Sequence, residues 1–324
     1  MKNDYILQTQ DLCKWFPVAD GLLHGLQPRY LKALNGVSVS VLRGETLGVV
    51  GESGCGKTTF GRTIIKLQAP TSGRILFNGT DITDYGYRQM QPIRKDMQMI
   101  FQDPYASLDP RMRVGECIGE PLVIQEPSLS ASDRQDTVQA LMRKCGLSEK
   151  DYEKYPHEFS GGQRQRIGIA RALVLQPKLL LCDEPVSALD VSIQAHLINL
   201  LMQLQQEYAL TMVFISHDLS VVSHVADRIA VMYLGQVVEL ASRDEIFHHP
   251  LHPYTKALLA SVPVIGQHGD IAEPLLEGEL PSLIDPPSTC PLYNRCSHRQ
   301  ACCKEAPPKL RQVAPGHFCS CHLI

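Results

Sequence analysis

Apolar and polar positions change rhythm along this chain, and the rhythm divides it into elements. Residues 4–11 alternate well enough to predict a strand. Trp15 and Phe16 follow, before a Gly/Pro-containing stretch over 17–28 that predicts a loop. Val37-Ser38-Val39-Ser40-Val41 alternates strictly, the pattern of a half-buried strand. A turn at Arg43-Gly44-Glu45 leads into the apolar run Thr46-Leu47-Gly48-Val49-Val50, and a helix is predicted from Thr58 to Leu67. Arg74-Ile75-Leu76-Phe77 with Asn78-Gly79 predicts another strand ending in a turn.

Beyond residue 96 the pattern turns from short strands to helices and back. Met97-Ile100 with Phe101-Gln102 reads as a strand ending in a polar residue. From 113 to 170 the periodicity is mainly helical, with amphipathic stretches near 114–125, 131–146 and 163–175. Leu179-Leu180-Leu181-Cys182 is a continuous apolar run of the kind that fills a buried parallel sheet. A helix from Val191 to Tyr208, the apolar strand Met212–Ile215, and strands near 228–234 and 236–240 complete the main part. The remainder, 241–324, opens with short helices over 244–248 and 253–261 and then becomes rich in Pro, Gly and Cys. Such a segment lacks an apolar core and needs a staple. The pattern predicts an α/β protein, with an antiparallel sheet beside a parallel nucleotide-binding core.

Composition narrows the class. The chain has 324 residues, with 44% hydrophobic and 20% charged, ordinary values for a globular protein. A net charge of −3 gives no global electrostatic case for nucleic-acid binding. No run of 18 apolar residues is present, and residues 1–5 do not begin a signal peptide, so a cytosolic location is expected. Of 11 cysteines, Cys290, Cys296, Cys302, Cys303, Cys319 and Cys321 crowd into the last stretch. In a cytosolic chain that crowding suggests a metal or cluster site rather than disulfides. Cys13, Cys55, Cys117, Cys145 and Cys182 are expected to act as small hydrophobes.

The candidate chemistry centres on Gly51-Glu52-Ser53-Gly54-Cys55-Gly56-Lys57-Thr58, which fits G-x-x-x-x-G-K-[ST] between a predicted strand and a predicted helix. Glycines let successive backbone N–H groups turn inward around a polyphosphate, and the helix N-terminus adds partial positive charge. Lys57 is placed to bridge the β- and γ-phosphates and the Thr58 hydroxyl to ligate Mg²⁺, with Thr59 beside it as a further nucleotide-binding residue. A second signal is Asp183-Glu184 after four apolar residues: Asp183 can hold Mg²⁺, and Glu184 can polarise the attacking water as a general base. Ser160-Gly161-Gly162-Gln163 opens the 163–175 helix and forms either an anion site or a simple helix cap.

Taken together, Gly51–Thr58, Gln102, Ser160–Gln163, Asp183–Glu184, Ser187-Ala188-Leu189-Asp190 and His217 resemble the ordered motifs of an ABC-transporter ATPase subunit. The resemblance covers roughly residues 4–240. It implies a P-loop NTPase fold with parallel core sheet, antiparallel β subdomain, helical subdomain at about 103–172 and a small Cys-rich extension. The expected division is an ATPase domain over 1–240 and an extension over 241–324. The resemblance implies that Gln102 contacts Mg²⁺ or water and senses a membrane partner. It implies that Ser160–Gln163 completes the site of an opposing subunit, that Asp190 communicates across that dimer, and that His217 contacts the γ-phosphate. Phe16 best matches the adenine-stacking aromatic, with Trp15 close behind. Phe159 stands where the family more often has leucine.

Phe101–Met112, His252–Leu259 and Gly278–Ser282 narrow the resemblance to dipeptide/oligopeptide (and nickel) importers, second-ATPase-subunit type. It implies ATP and Mg²⁺ as ligands and a paralogous ATPase subunit as dimer partner. It also implies two transmembrane permease subunits, an extracytoplasmic solute-binding protein acting indirectly, and a peripheral position on the cytoplasmic face of the membrane. The alternative is a soluble ABC ATPase acting on nucleic acid or ribosomes. Against it, Gln102 and Ser160 lie too close for an inserted coiled coil, and one ATPase domain is present rather than two.

In the tail, Cys290, Cys296, Cys303 and Cys321 lack the tight C-x₂₋₄-C pairs of zinc ribbons. An iron–sulfur cluster tolerates wider spacing. The residues alone leave a [4Fe–4S] cluster, a zinc ion and no metal open; the resemblance implies [4Fe–4S] on these four. Cys302 and Cys319 are then spare thiols, and His298, His317 and His322 are expected to be solvated.

Overall fold

In the computed structural model, which describes residues 4–18, 29–261, 276, 278, 281–284 and 286–324, the chain divides into two units. One comprises Met1–Ile6, Leu42–Glu45 and Asp84–Ile215; the other comprises Leu7–Val41, Thr46–Thr83 and Ser216–Ile324. Positions 19–28 of the expected N-terminal loop, and Glu279 and Leu280 of the Gly278–Ser282 motif, lie outside the described residues.

In the second unit, the long strand Tyr5–Val18 pairs antiparallel with Arg29–Val37 on one side and Ser72–Phe77 on the other. Thr80–Asp81 closes a hairpin onto Ser72–Phe77. The first strand thus runs past the expected 4–11 and takes in Pro17 and Val18. Its register shifts near Asp11, whose φ of 46° bends the backbone through the left-handed region. The single strand expected over 37–41 is two: Arg29–Val37 and Ser40–Leu42. At the break, Val39 and Thr9 exchange bonds, Thr9 N–H to the Val39 carbonyl and Val39 N–H to Thr9 Oγ1. Alternation continues through the break because the segment stays half-buried, which is why the pattern concealed it.

The same unit holds the fully buried strand Thr46–Val50, parallel to Arg228–Tyr233. Gly48 belongs in that strand because a Cβ there would drive into the side chain of Val222. Arg228–Tyr233 turns back antiparallel into Gln236–Ser242, and His317–Cys319 and Arg311–Ala314 extend the sheet from there. These last two strands come from the segment whose composition showed little periodicity. They are three and four residues long, too short to show a period.

In the first unit, Met97–Ile100, Leu179–Asp183 and Thr211–Ile215 run parallel in that spatial order. The latter two are buried at every position, as their continuous apolar runs predict. Helices Val114–Gln125, Ala131–Lys144, Gly161–Leu173 and Val191–Tyr208 follow the predicted amphipathic stretches to within one to two residues. Ser130 starts the second of these by accepting from Asp133 N–H at 3.1 Å. The helix Tyr87–Arg94 was not signalled, since only Met90 in it is buried. The architecture is α/β, parallel strands with helices and an antiparallel sheet, as the pattern predicts. Among the described residues no helix is long and apolar enough to cross a membrane.

Candidate functional site

The strand Thr46–Val50 delivers a loop whose backbone only glycine tolerates at two points. Gly51 has φ 153° and Gly56 has φ 107°; a side chain at either would collide with a backbone carbonyl, of Met232 and Ala33 respectively. The helix Lys57–Ile64 starts at Gly56 with no side-chain cap bond from that residue. Lys57 is 4% exposed. Its ammonium donates to the carbonyls of Gly51 at 2.7 Å and Glu52 at 3.0 Å, so the buried charge is hydrogen-bonded. Burial pushes the Cys55 thiol above its ordinary range, with Lys57 pulling the other way. Ser53 and Gly54 are exposed, and Thr58 and Thr59 are half-buried. His217 is exposed; the residue before it, Ser216, donates its N–H to the Val49 carbonyl at 3.1 Å. That bond ties the His217 segment to the strand feeding the loop.

Phe16 stands half-buried on Tyr5–Val18 opposite Leu31, with the Lys14 ammonium 5.0 Å from its ring centre. Trp15 packs against Tyr30 at 6.3 Å and under Lys32 at 5.0 Å. Both aromatics of the sequence reading are thus half-buried rings on one strand, each beside a lysine.

In the first unit, Asp183 ends its strand with no exposed surface. Glu184 follows at φ 47°, its N–H donating to the Ile215 carbonyl at 3.0 Å. Gln102 Nε2 donates to Glu184 Oε2 at 2.9 Å, so the structure brings these two side chains together. Ser160 caps Gly161–Leu173: its Oγ accepts from Gln163 N–H, and Gln163 Oε1 accepts from Ser160 N–H at 3.0 Å. The cap is therefore real, and it leaves the N–H groups of Gly161 and Gly162 at the helix start. Gly162 admits no side chain, because a Cβ would press on Ile193. Phe159 is buried, and Asp190 is exposed at the start of Val191–Tyr208 with no side-chain cap bond.

In the tail, Cys290 N–H donates to the Cys303 carbonyl at 3.0 Å. Cys296 and Cys303 are buried; Cys290 and Cys321 are half-buried. Burial pushes Cys290 up to about 11, reinforced by the charges of Cys303, Cys321 and Cys296. Burial likewise raises Cys321, with Cys296 and Cys303 adding to it. Among the described residues, no three His, Cys, Asp or Glu side chains are arranged to hold a metal ion, and every cysteine is free. His317 is not the solvated histidine expected: it is 3% exposed and pairs with the buried Glu239 at 2.7 Å. Its strand docks on Gln236–Ser242, which takes the imidazole out of water.

Two residues that sequence reasoning missed meet the phosphate loop, and a third packs behind one of them. Arg295 clamps the Glu52 carboxylate through two nitrogens, at 2.9 and 3.0 Å. Tyr254 Oη accepts from Glu52 N–H at 2.8 Å, and the Tyr233 ring lies 4.6 Å from that of Tyr254. No periodicity could reveal partners 243 positions apart.

Two family models match the chain: "ABC transporter" over residues 34–187, and "Oligopeptide/dipeptide transporter, C-terminal region" over residues 238–303. The oligopeptide transport ATP-binding protein OppF of Salmonella typhimurium is 53% identical over 321 residues, covering 98% of this chain and 95% of its own. The oligopeptide transport ATP-binding protein AppF of Bacillus subtilis is 50% identical over 324 residues, covering 99% and 98%. Among solved structures, cbiO1 of Clostridium perfringens, part of the ABC transporter complex cbiONQ, gives a TM-score of 0.65 at 29% identity, over 76% of this chain and 92% of its own. The dimeric ATP-binding cassette MJ0796, in a post-hydrolysis state with ADP and Pi, gives 0.66 at 27% identity, over 73% and 98%.

Proposed function

This chain belongs to the family of ABC transporter ATP-binding proteins, in the branch with the oligopeptide/dipeptide-transporter C-terminal region, and from that premise we propose that it hydrolyses ATP to power import of oligopeptides or dipeptides through a membrane transporter. The observation that carries this reading is the likeness to oligopeptide transport ATP-binding proteins along the whole chain, tail included.

In this reading Gly51–Thr59 and the helix behind it cradle the phosphates, Lys57 leaving its two carbonyls to reach the β- and γ-phosphates. Phe16 stacks on adenine. Thr58, Gln102 and Asp183 are the residues that would hold Mg²⁺ by the family pattern, and the ion would supply positive charge to the phosphates. Glu184 is the general base, oriented by Gln102; its left-handed backbone is the kind of local strain that collects at functional sites. His217 contacts the γ-phosphate. Ser160–Gln163 and Asp190 serve the nucleotide of an opposing, paralogous ATPase subunit, to which the bare N–H groups at the helix start are suited. The pair sits on the cytoplasmic face of the membrane against two permease subunits, with a solute-binding protein delivering cargo.

Cys290, Cys296, Cys303 and Cys321 would hold a [4Fe–4S] cluster, with zinc as the alternative occupant. The reading rests on the resemblance and on donor chemistry, since all four residues are cysteines, whose thiolates are the donors such a cluster takes. The cluster's part is structural, joining loops that have little apolar surface of their own.

The test is reconstitution of the copurified complex in vesicles with its solute-binding protein. Peptide-dependent ATP hydrolysis and peptide uptake are expected. Hydrolysis indifferent to peptide and solute-binding protein would overturn the transport reading.

A further inference from the structure

Glu52 is an awkward residue for a loop that binds polyphosphate. It carries a negative charge one position into the loop, where it would repel the anion that the loop exists to hold. The structure supplies the remedy from the far end of the chain. Arg295 meets both carboxylate oxygens through NH1 and NH2, at 2.9 and 3.0 Å. Its side chain is 10% exposed and that of Glu52 31%, so water screens the pair far less than a surface ion pair. The guanidinium carbon also lies 5.9 Å from the ring centre of Tyr233, which packs on Tyr254; both rings are fully buried.

Glu52 is held at three points. The carboxylate is in the Arg295 fork, the N–H is donated to Tyr254 Oη at 2.8 Å, and the carbonyl accepts from the Lys57 ammonium at 3.0 Å. A chain of direct contacts therefore runs from the Cys-rich extension through Glu52 to the lysine of the phosphate loop.

We propose that Arg295 is a positioning residue for the nucleotide site: it neutralises Glu52 and fixes the first half of the phosphate loop, making the C-terminal extension part of the ATP-binding machinery. This deepens the reading of Gly51–Thr58 as the nucleotide loop and rests on it. Arg295 does not touch the nucleotide; it acts through Glu52. Three consequences follow from the charge. Removing Arg295 exposes a carboxylate to the phosphates and frees the loop. Removing the Glu52 charge instead leaves nothing to repel. Removing both should resemble removing Glu52 alone.

The test is a double-mutant cycle on the full-length chain, reading MgATP affinity by equilibrium titration and folding by thermal melting. Arg295→Ala is expected to weaken MgATP binding about tenfold, which corresponds to about 1.4 kcal/mol. Measured against Glu52→Gln alone, whatever affinity that variant has, adding Arg295→Ala should cost less than about threefold. A merely structural arginine would cost the same in both backgrounds, and that result would overturn the proposal. If Arg295→Ala does not fold, Arg295→Gln runs the same cycle, since it keeps a hydrogen-bonding side chain in place. Lys57→Ala separates the two levels. If it leaves MgATP binding intact, the nucleotide-loop reading fails; if it abolishes binding while the Arg295 effect ignores Glu52, only the present proposal fails.

Discussion

Glu184 holds φ 47°, a conformation that costs a residue with a Cβ about 1–3 kcal/mol, and it is kept there by its N–H bond to Ile215 and its side-chain bond to Gln102. Those bonds suggest a clean substitution. In Glu184→Gln the amide oxygen still accepts from Gln102 Nε2 and the backbone has no reason to change. The chain should therefore fold and bind MgATP as before. What is lost is the basic oxygen, so turnover should fall by roughly 10²–10⁴-fold. Binding and single-turnover hydrolysis measured on one preparation decide this. Turnover of the Glu184→Gln variant at the wild-type rate would remove Glu184 as general base.

At the scale of elements, the helix Pro253–Ala260 shows how one buried group can give a fold a pH limit. His252 caps it, Nδ1 accepting from Tyr254 N–H at 3.1 Å, and Tyr254 in turn reaches the phosphate loop. Burial pushes His252 down to about 4, although the Glu239 carboxylate and a backbone bond with Ser320 pull the other way. The unfolded chain takes up this proton near pH 6.5 and the folded chain only near 4. The stabilisation is thus complete above pH 6.5 and is lost as pH falls toward 4, amounting to about 2 kcal/mol by pH 5. His252→Asn keeps a capping oxygen without the titration. Urea midpoints at pH 7.5 and 5 should converge more for the variant than for wild type; equal slopes would clear His252. Such elements also mark what a sequence discloses. The strand–loop–helix around Lys57 and the cap at Ser160 were legible because strand period, glycines and cap residues lie within a few positions of each other. Tyr254 on the loop, Arg295 on Glu52 and His317 on Glu239 were not. Each joins residues far apart in sequence, and a buried polar residue looks like a solvated one until its partner is known.

At the scale of the whole molecule, two matters turn on what the chain assembles with. Metal analysis after anaerobic purification should find four irons per chain, lost in Cys296→Ser; one zinc per chain would sink the cluster in favour of the alternative ion. The second matter is whether Gly51–Thr58 makes a complete site. Its own chain also carries Ser160, which in the proposed dimer completes the partner's site rather than its own. That division can be read by damaging each half separately. Lys57→Ala removes the ammonium that meets the β- and γ-phosphates, and should empty one of the two sites in the assembled pair. Ser160→Asp is chosen because aspartate caps a helix as well as serine does, so Gly161–Leu173 should stay capped. The added charge, however, points at a phosphate and should empty the other site. Each single variant then leaves one ATP per dimer by equilibrium dialysis, and the double variant in one chain leaves none. If both motifs served the same nucleotide, the double variant would still hold one ATP, in the partner's site. The count of bound nucleotide therefore separates a shared pair of half-sites from two self-contained ones.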